Sequence, residues 1–523
     1  MRSILPLTVG IMALLLASVT ACTNGGTRLA GDGGGDNRDS VIEEWPDPGG
    51  EDIPGEDGPR DPGLDEIAPE SLDSLDAADV FEPDPEIPDA PDLPEIPPTT
   101  WIRTYSNMGS TSPVAIHPTL DGGYVFASYG YTDEGEYISA VIKLDGEGSM
   151  LWGKMLRDGQ PMVRDIVETP EGGFLVLFAF EEPVYGEEYE TGVVRMNGSG
   201  EILWTKAVGG ALACSLGYLE KLRGGGYVLG GDISMPHERS NDFWVVSVDE
   251  SFDIRWQKAF GYDELQSLYA IDEAGDGGIV AAGLTFSGWT TDRNDAWVIK
   301  LDASGNVQWQ YRYAGPMFQG ASSIIAAAGG GYVVGGTSTY DYSGALSLVP
   351  WVFRLREDGS LVWQKLFISA PDGEIYRIVQ AWDGEFVVTG MVPVSPGRGY
   401  DAALYKIAAD GTLTWFKGYS GEDYDKSHFA DAAYDGGYIA VGPTNSYGSE
   451  DFTTWVLKVD GNGTVSPDCP FGLGLDYTPT IVDATSTAEA TSADAVITNA
   501  EVIEIYVSVI EAVVGVETLC EGG

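Results

Sequence analysis

Basic residues are scarce: 28 Lys and Arg face 81 Asp and Glu in 523 residues, for a formal net charge of −53. Nucleic acid and anionic membrane surfaces are bound through a basic footprint, so neither is expected as a partner. The three histidines, His117, His237 and His428, lie far apart with no ligand spacing, which excludes a zinc or haem site built on them. No metal and no cofactor are expected. Cysteine stops at four, and Cys214, just before an inner strand, reads as a small buried hydrophobe. No Walker-type loop occurs, and Ser322-Ser323 lacks a nucleophile-elbow context. Seventy glycines argue against a helical protein. What is plentiful is apolar: 43% hydrophobic and 11% aromatic residues supply a large core.

The chain begins with one Arg and an apolar run from Ile4 to Val19, too short to span a bilayer and typical of a secretory signal over residues 1–21. Val19-Thr20-Ala21-Cys22 resembles the bacterial lipobox. The resemblance implies a diacylated Cys22 thiol, a cleaved signal and a third, palmitate-type chain on the new amino terminus. Each buried methylene adds ~0.8 kcal/mol, so three chains anchor firmly. Thr23 rather than Asp follows the Cys, which in such lipoproteins goes with the outer membrane. The expected location is therefore the bacterial cell envelope.

Residues 22–98 form a lipidated tether. From Thr23 to Pro98 there are 23 acidic residues, three Arg and 13 Pro, with no Lys. Proline removes donors and like charges repel, so this stretch is expected to be extended and disordered.

After the tether the sequence is periodic. Trp101, Trp152, Trp204, Trp256, Trp309, Trp363 and Trp415 lie 51 to 54 residues apart. Between them recur an alternating stretch, a glycine turn into a second apolar run (GGYVLGG, GGYVVGG), a variable loop, a strand ending in a turn (VIKLDASG) and the Trp strand (VQWQYRY). Four short strands punctuated by Gly and Asp make one antiparallel blade, here called A to D from first to last. Trp101–Tyr105 has no preceding A, B or C strand, while the last A, B and C strands, near 429–434, 437–442 and 454–460, have no D. The first strand therefore fits the last blade. The expected fold is all-β: a seven-bladed β-propeller over residues 99–466, four antiparallel strands per blade, closed by its amino-terminal strand.

The turn-plus-Trp unit, clearest at Leu301–Trp309, resembles the tryptophan-docking motif of quinoprotein-like propellers. More broadly, the repeats resemble the Gly-Gly-Tyr-rich, roughly fifty-residue propeller repeats of secreted and lipoprotein-type bacterial proteins. The resemblance covers about residues 101–465 and implies that the seven Trp pack between blades. It implies no activity. Quinone-dependent dehydrogenases of this type have eight blades and a pocket with adjacent cysteines or calcium, and this chain has neither the eighth repeat nor vicinal Cys. Sialidase-like hydrolysis would need an arginine cluster near the axis, for which only Arg164 and Arg377 occupy similar A-strand positions.

Variable B-to-C loops are where binding is expected. They carry Tyr131, Tyr185, Tyr189, Trp289, Tyr340, Tyr342 and Tyr447 among acidic neighbours. Aromatic and acidic groups together suit a glycan or a protein partner. The leading expectation is a monomeric, non-enzymatic envelope lipoprotein that binds a protein or glycan through this face, in a scaffold or adhesion role. The alternative is an extracytoplasmic enzyme acting on a polysaccharide or small molecule at the axis. Inner stretches such as Ile324–Ala328 and Ala430–Tyr434 are mostly apolar and favour the first.

Residues 467–523 leave the repeats. Cys469 and Cys520 bracket a Thr/Ala/Val-rich stretch without Lys or Arg, and a disulfide between them is expected in an exported protein. Alternation in Val502–Val509 suggests strands, which either pack on the propeller or form a small stalk.

Overall fold

The computed structural model describes residues 99–522, apart from short connections within the ring (107–109, 132–136, 158–159, 185–188, 210–213, 235–240, 262–264, 287–293, 316–317, 343–344, 369–372, 394–398, 422 and 448–451), the segment 466–479, and five links after it (485–486, 491–493, 498–500, 505–507 and 512–514). The lipobox Cys22, the tether, Tyr185, Trp289, His237 and Cys469 lie outside the described residues.

Every described element is a strand, and the strands form seven sheets. Blades 1 to 6 start with A strands at Ser110–Pro118, Pro161–Glu168, Cys214–Lys221, Gln266–Glu273, Gln319–Ala326 and Glu374–Gln380. Blade 7 is made of Phe429–Ala432, Tyr438–Thr444 and Thr453–Val459, completed by Thr100–Ser106. The amino-terminal strand is thus the D strand of the last blade, pairing Trp101 with Lys458 and Tyr105 with Thr454. Thr111 of blade 1 reaches back across the same seam, its N–H donating to the Phe452 carbonyl at 2.9 Å. The ring closes as its repeats require.

Seven core clusters, built mainly of Val, Ile, Ala and aromatic side chains, fill the spaces between neighbouring blades. The outer Trp residues seal those spaces. Trp152 Nε1 donates to Gly198 O at 3.0 Å, Trp256 to Ala303 O at 3.0 Å, Trp309 to Glu357 O at 2.7 Å and Trp363 to Ala409 O at 2.8 Å. Trp101 and Trp415 make the same bond at 3.3 Å, to Gly146 and Gly461. Trp204 instead stacks on Phe252, ring centroids 5.7 Å apart. In each case the partner is the C-to-D turn of the next blade.

Asp145, Asn197, Asp249, Asp302 and Asp460 cap those turns by accepting two backbone N–H groups each, as the Asx-type turn predicts. In blades 5 and 6 the cap moves two residues on, to Asp358 and Asp410. Glu357, the other candidate in blade 5, accepts from Gly331 N and Tyr332 OH instead.

The carboxy-terminal segment packs on the propeller. Thr480–Asp483, Thr487–Ala490, Asp494–Ile497, Glu501–Glu504, Ser508–Glu511 and Gly515–Gly522 add a fifth strand to blades 5, 4, 3, 2, 1 and 7 in that order. Each runs antiparallel to the Trp-bearing D strand it joins. Their starts are seven residues apart throughout. Strands in a sheet rotate by roughly 20–25° per step, so an outermost strand lies nearly across its innermost one and follows the rim. The tail is a belt around a seven-bladed propeller.

Candidate functional site

All A-to-B and C-to-D connections among blades 1–6 have five residues, while B-to-C connections range from two in blade 5 to eight in blade 7. The D-to-A and B-to-C connections share one face, so sequence variation is concentrated there. On that face the A strands begin and an axial funnel of about 300 Å³ opens.

The funnel owes its chemistry to a repeated irregularity. In blades 1 to 6 the pairing of strands A and B slips by one residue at the same place, leaving Val114, Arg164, Gly217, Tyr269, Ser322 and Tyr376 as β-bulge residues. His428 holds the corresponding place in blade 7. A bulge re-aims side chains and breaks the strict period of two. The funnel wall is still mostly apolar, as expected, and the bulges add a few polar side chains to it. Ile324 and Ala430 face the inter-blade cores, whereas Arg164, Tyr218, Tyr269, Ser322, Glu374 and Arg377 line the axis.

Two cations face this space. The Nε of Arg164 is buried and makes no hydrogen bond. The Arg377 guanidinium lies 5.6 Å over the Phe429 ring. Arg164, Arg377 and Tyr218, from three different blades, line the same funnel. Burial pushes the Tyr218 hydroxyl up, so it stays neutral and able to donate.

His428 packs edge-on against Tyr376 at 4.9 Å, and its Nδ1 lies 3.3 Å from the Pro113 carbonyl. A carbonyl only accepts, so Nδ1 carries the proton and Nε2 is left as a bare acceptor, buried and without a partner. Burial, and then the nearby Lys426 charge, push its pKa down to about 3, so the ring is neutral. Lys426 itself lies 5.1 Å over the Tyr424 ring and 5.7 Å over that of Tyr376. Tyr376 OH donates to Glu374 at 2.8 Å, which occupies that carboxylate.

Below the funnel the inner strands are laced by carboxylates. Asp165 accepts from Leu219 N at 2.9 Å and Asp272 from Ala326 N at 2.7 Å, each joining its blade to the next. Asp431 meets His117 Nδ1 at 2.9 Å across the closing seam. Glu220 is pushed well up by burial and by the Asp272 charge. These groups hold the inner strands together.

The loop tyrosines whose side chains are described, Tyr131, Tyr340 and Tyr447, stand on three different blades. Tyr131, exposed on blade 1, donates to Tyr137 OH at 2.6 Å. Tyr340 is half-buried on the long B–C hairpin of blade 5, formed by Tyr332–Tyr342 and Ala345–Leu355. Tyr447 packs on Trp455, ring centroids 6.1 Å apart. Tyr189 and Tyr342 stand at strand ends on this face, but their side chains are outside the described residues, as is that of Cys520. Cys214 is buried and apolar-packed, as expected. In the sequence Arg164 and Arg377 share similar A-strand positions, but the bulge that brings them to the funnel has no signature there.

No family model matches the sequence, and comparison with curated proteins finds no match. Among solved structures the chain is similar to Sqt1 from Chaetomium thermophilum, at 11% identity and a TM-score of 0.41, over 65% of this chain and 81% of that one. It is similar to a puromycin hydrolase mutant complexed with PGG at 12% identity and a TM-score of 0.39, over 65% of this chain and 51% of that one. A structure described as the eukaryotic initiation factor matches at 9% identity and a TM-score of 0.28, over 61% of this chain and 96% of that one.

Proposed function

We propose that this protein is a lipid-anchored binding scaffold of the bacterial cell envelope, which presents one face of its propeller to a glycan or protein partner. One observation carries the reading: the unequal loops and the funnel holding partnerless polar groups open on the same face. A face of that kind is built for recognition, since buried polar atoms are rarely left unpaired without a ligand or water to meet them. The lipobox supports an anchor at Cys22 on the outer membrane, and the acidic tether supports a ring held away from the lipid.

The pairing of Cys469 with Cys520 belongs to the same proposal. Val465 ends the core packing of blade 7, and the backbone of Cys520 pairs with Ile102 on that blade's D strand. Such a bond would tie the last belt strand to the chain that follows blade 7.

Pull-down from envelope fractions and a glycan array, with the intact protein and with a variant carrying alanine at Tyr131 and Tyr340, test the reading. Loss of capture in the variant is expected. Capture that survives every substitution on this face, or turnover of a captured glycan, would sink it. Turnover would instead favour an enzyme at the axis.

A further inference from the structure

We infer that the axial funnel takes an acidic sugar residue, its carboxylate held by Arg164 and Arg377 and a ring hydroxyl donated to His428 Nε2. This rests on the binding reading above and narrows it to one ligand class.

Three features select that ligand. The first is charge. Among the described residues neither guanidinium has a hydrogen bond or ion pair, although the Arg164 Nε is buried. The Arg164 side chain is half-buried, with its Nε enclosed and lacking an acceptor, whereas the Arg377 charge is already felt by Asp165, Glu220 and Asp272. A carboxylate offers Arg164 the planar, two-oxygen partner its fork fits. The chain as a whole carries a net charge of −53, so each further negative charge on a ligand works against the surrounding field. One carboxylate is favoured over a doubly charged phosphate.

The second feature is the bare Nε2. It accepts and cannot donate, because Nδ1 already donates to Pro113. A hydroxyl satisfies it, whereas a second carboxylate oxygen would meet lone pair with lone pair. The third is the wall. Tyr129, Tyr218, Tyr269, Phe318 and Phe429 line the space, and aromatic rings suit the C–H side of a sugar ring. At about 300 Å³ the funnel lies at the small end of ligand pockets, room for one ring rather than a long chain.

Titration calorimetry of the full-length protein in detergent tests this. The probes are glucuronate, galacturonate and mannuronate, a galacturonate trimer, methyl galactoside, benzoate and inorganic phosphate. At least one uronate is expected to bind ten-fold or more tighter than methyl galactoside. Arg164→Met and Arg377→Met should each remove ten-fold or more of that affinity while leaving methyl galactoside within three-fold. Arg164→Lys, which keeps the charge and loses the fork, should fall between. His428→Phe should weaken acidic and neutral sugars alike. A trimer that binds more tightly than the monomer identifies a glycan end as the source, and equal binding a free sugar acid; both support the inference.

Three results overturn it: no uronate binding, benzoate or phosphate binding as well as the best uronate, or Arg164→Met and Arg164→Lys both matching wild type with unchanged melting temperature. Envelope capture that persists alongside any of these three results would leave the scaffold reading standing while this one falls. Uronate binding without any capture would do the reverse.

Discussion

The Lys458 ammonium, fully enclosed at the end of the blade 7 C strand, lies 2.7 Å from Asp435 Oδ2 in the A-to-B turn of the same blade. The pair is a blade device. Lys143 with Asp121, Lys300 with Asp276, and Lys406 with Asp383 repeat it in blades 1, 4 and 6, and Arg195 with Glu171 substitutes in blade 2. In blade 5, Arg354 turns to the Gly330 carbonyl at 3.2 Å.

Burial pushes the Lys458 ammonium below its ordinary range even with Asp435 beside it. The attraction therefore does not wholly offset desolvation, and removing one partner should hurt more than removing both. Lys458→Met is expected to cost ~3–5 kcal/mol, because Asp435 is left charged and nearly enclosed. Lys458→Met with Asp435→Asn should recover much of that loss. Chemical denaturation of the three proteins checks the order, and equal losses for single and double variants would refute it.

Stability should also carry a pH signature from Asp232. Burial first, with Asp242 adding its charge, raises this carboxyl to about 7, against the stabilising bond from Leu268 N. A raised acid binds its proton in the folded state where the unfolded chain has lost it. Its contribution therefore declines as pH climbs from ~4 to ~7, by up to ~1.4 kcal/mol per unit, and is flat above. Asp401, raised to about 7 by burial and then by Asp425, acts in the same direction. His428 opposes them below pH ~6.5, since its folded pKa is depressed and its contribution is lost on acidification. Asp232→Asn isolates one member. The wild-type minus variant difference in melting temperature should shrink from pH 5 to pH 7 and stay constant from pH 7.5 to 8.5.

The C-to-D turn separates what side chains can replace glycine. Gly305 sits at φ +74, and a Cβ there would meet Trp256 Cε3 at 2.7 Å. Blade 3 has Phe252 at this place, at φ 67, fully buried against Trp204. The aromatic ring replaces the usual Trp-to-carbonyl docking with packing. Gly305→Ala should cost ~1–3 kcal/mol through strain and the displaced Trp256. Phe252→Gly relieves a left-handed residue and still should lose ~2–4 kcal/mol, because the buried ring goes with it. Melting curves that show Phe252→Gly as stabilising would mean that strain outweighs packing in this blade.

Legibility in the sequence followed the length scale of each signal. The fifty-residue period, with a Trp in every copy and an Asp- or Gly-bearing turn before most of them, exposed the blades, and the unmatched first and last strands exposed the closure. The caps at Asp302 and Asp460 were equally plain. The funnel was not. A bulge moves one residue out of register, so alternation read through Ile324 or Ala430 assigns core positions correctly and axial ones wrongly. Arg164 and Arg377 looked alike by position, yet they hold successive places around the bulge, and Tyr218 stands level with Arg377 on another blade. The belt was missed for a different reason. Its seven-residue step, from Thr480 through Thr487, Asp494, Glu501 and Ser508 to Gly515, has no meaning until a seven-bladed rim exists for it to follow.

That rim gives the last prediction. Without the belt, six D strands would present unpaired edges to solvent, the arrangement that invites edge-to-edge association. Several inter-blade cores are built from strands A to D alone, with no residue of the belt in them. Removal of residues 480–522 should therefore leave a folded ring that melts lower and associates at concentrations where the full chain does not. Static light scattering and thermal melting measure both. The proposed bond between Cys469 and Cys520 acts on the same element from outside the sheets. Closing about 50 residues constrains the unfolded chain by ~4 kcal/mol on the entropic model. Reduction, or Cys469→Ser, should then lower the melting temperature of the full chain and leave that of the truncated ring unmoved. A reductant that shifts both alike would place the sensitive thiol elsewhere, at Cys214, and non-reducing peptide mapping would show which pair is joined.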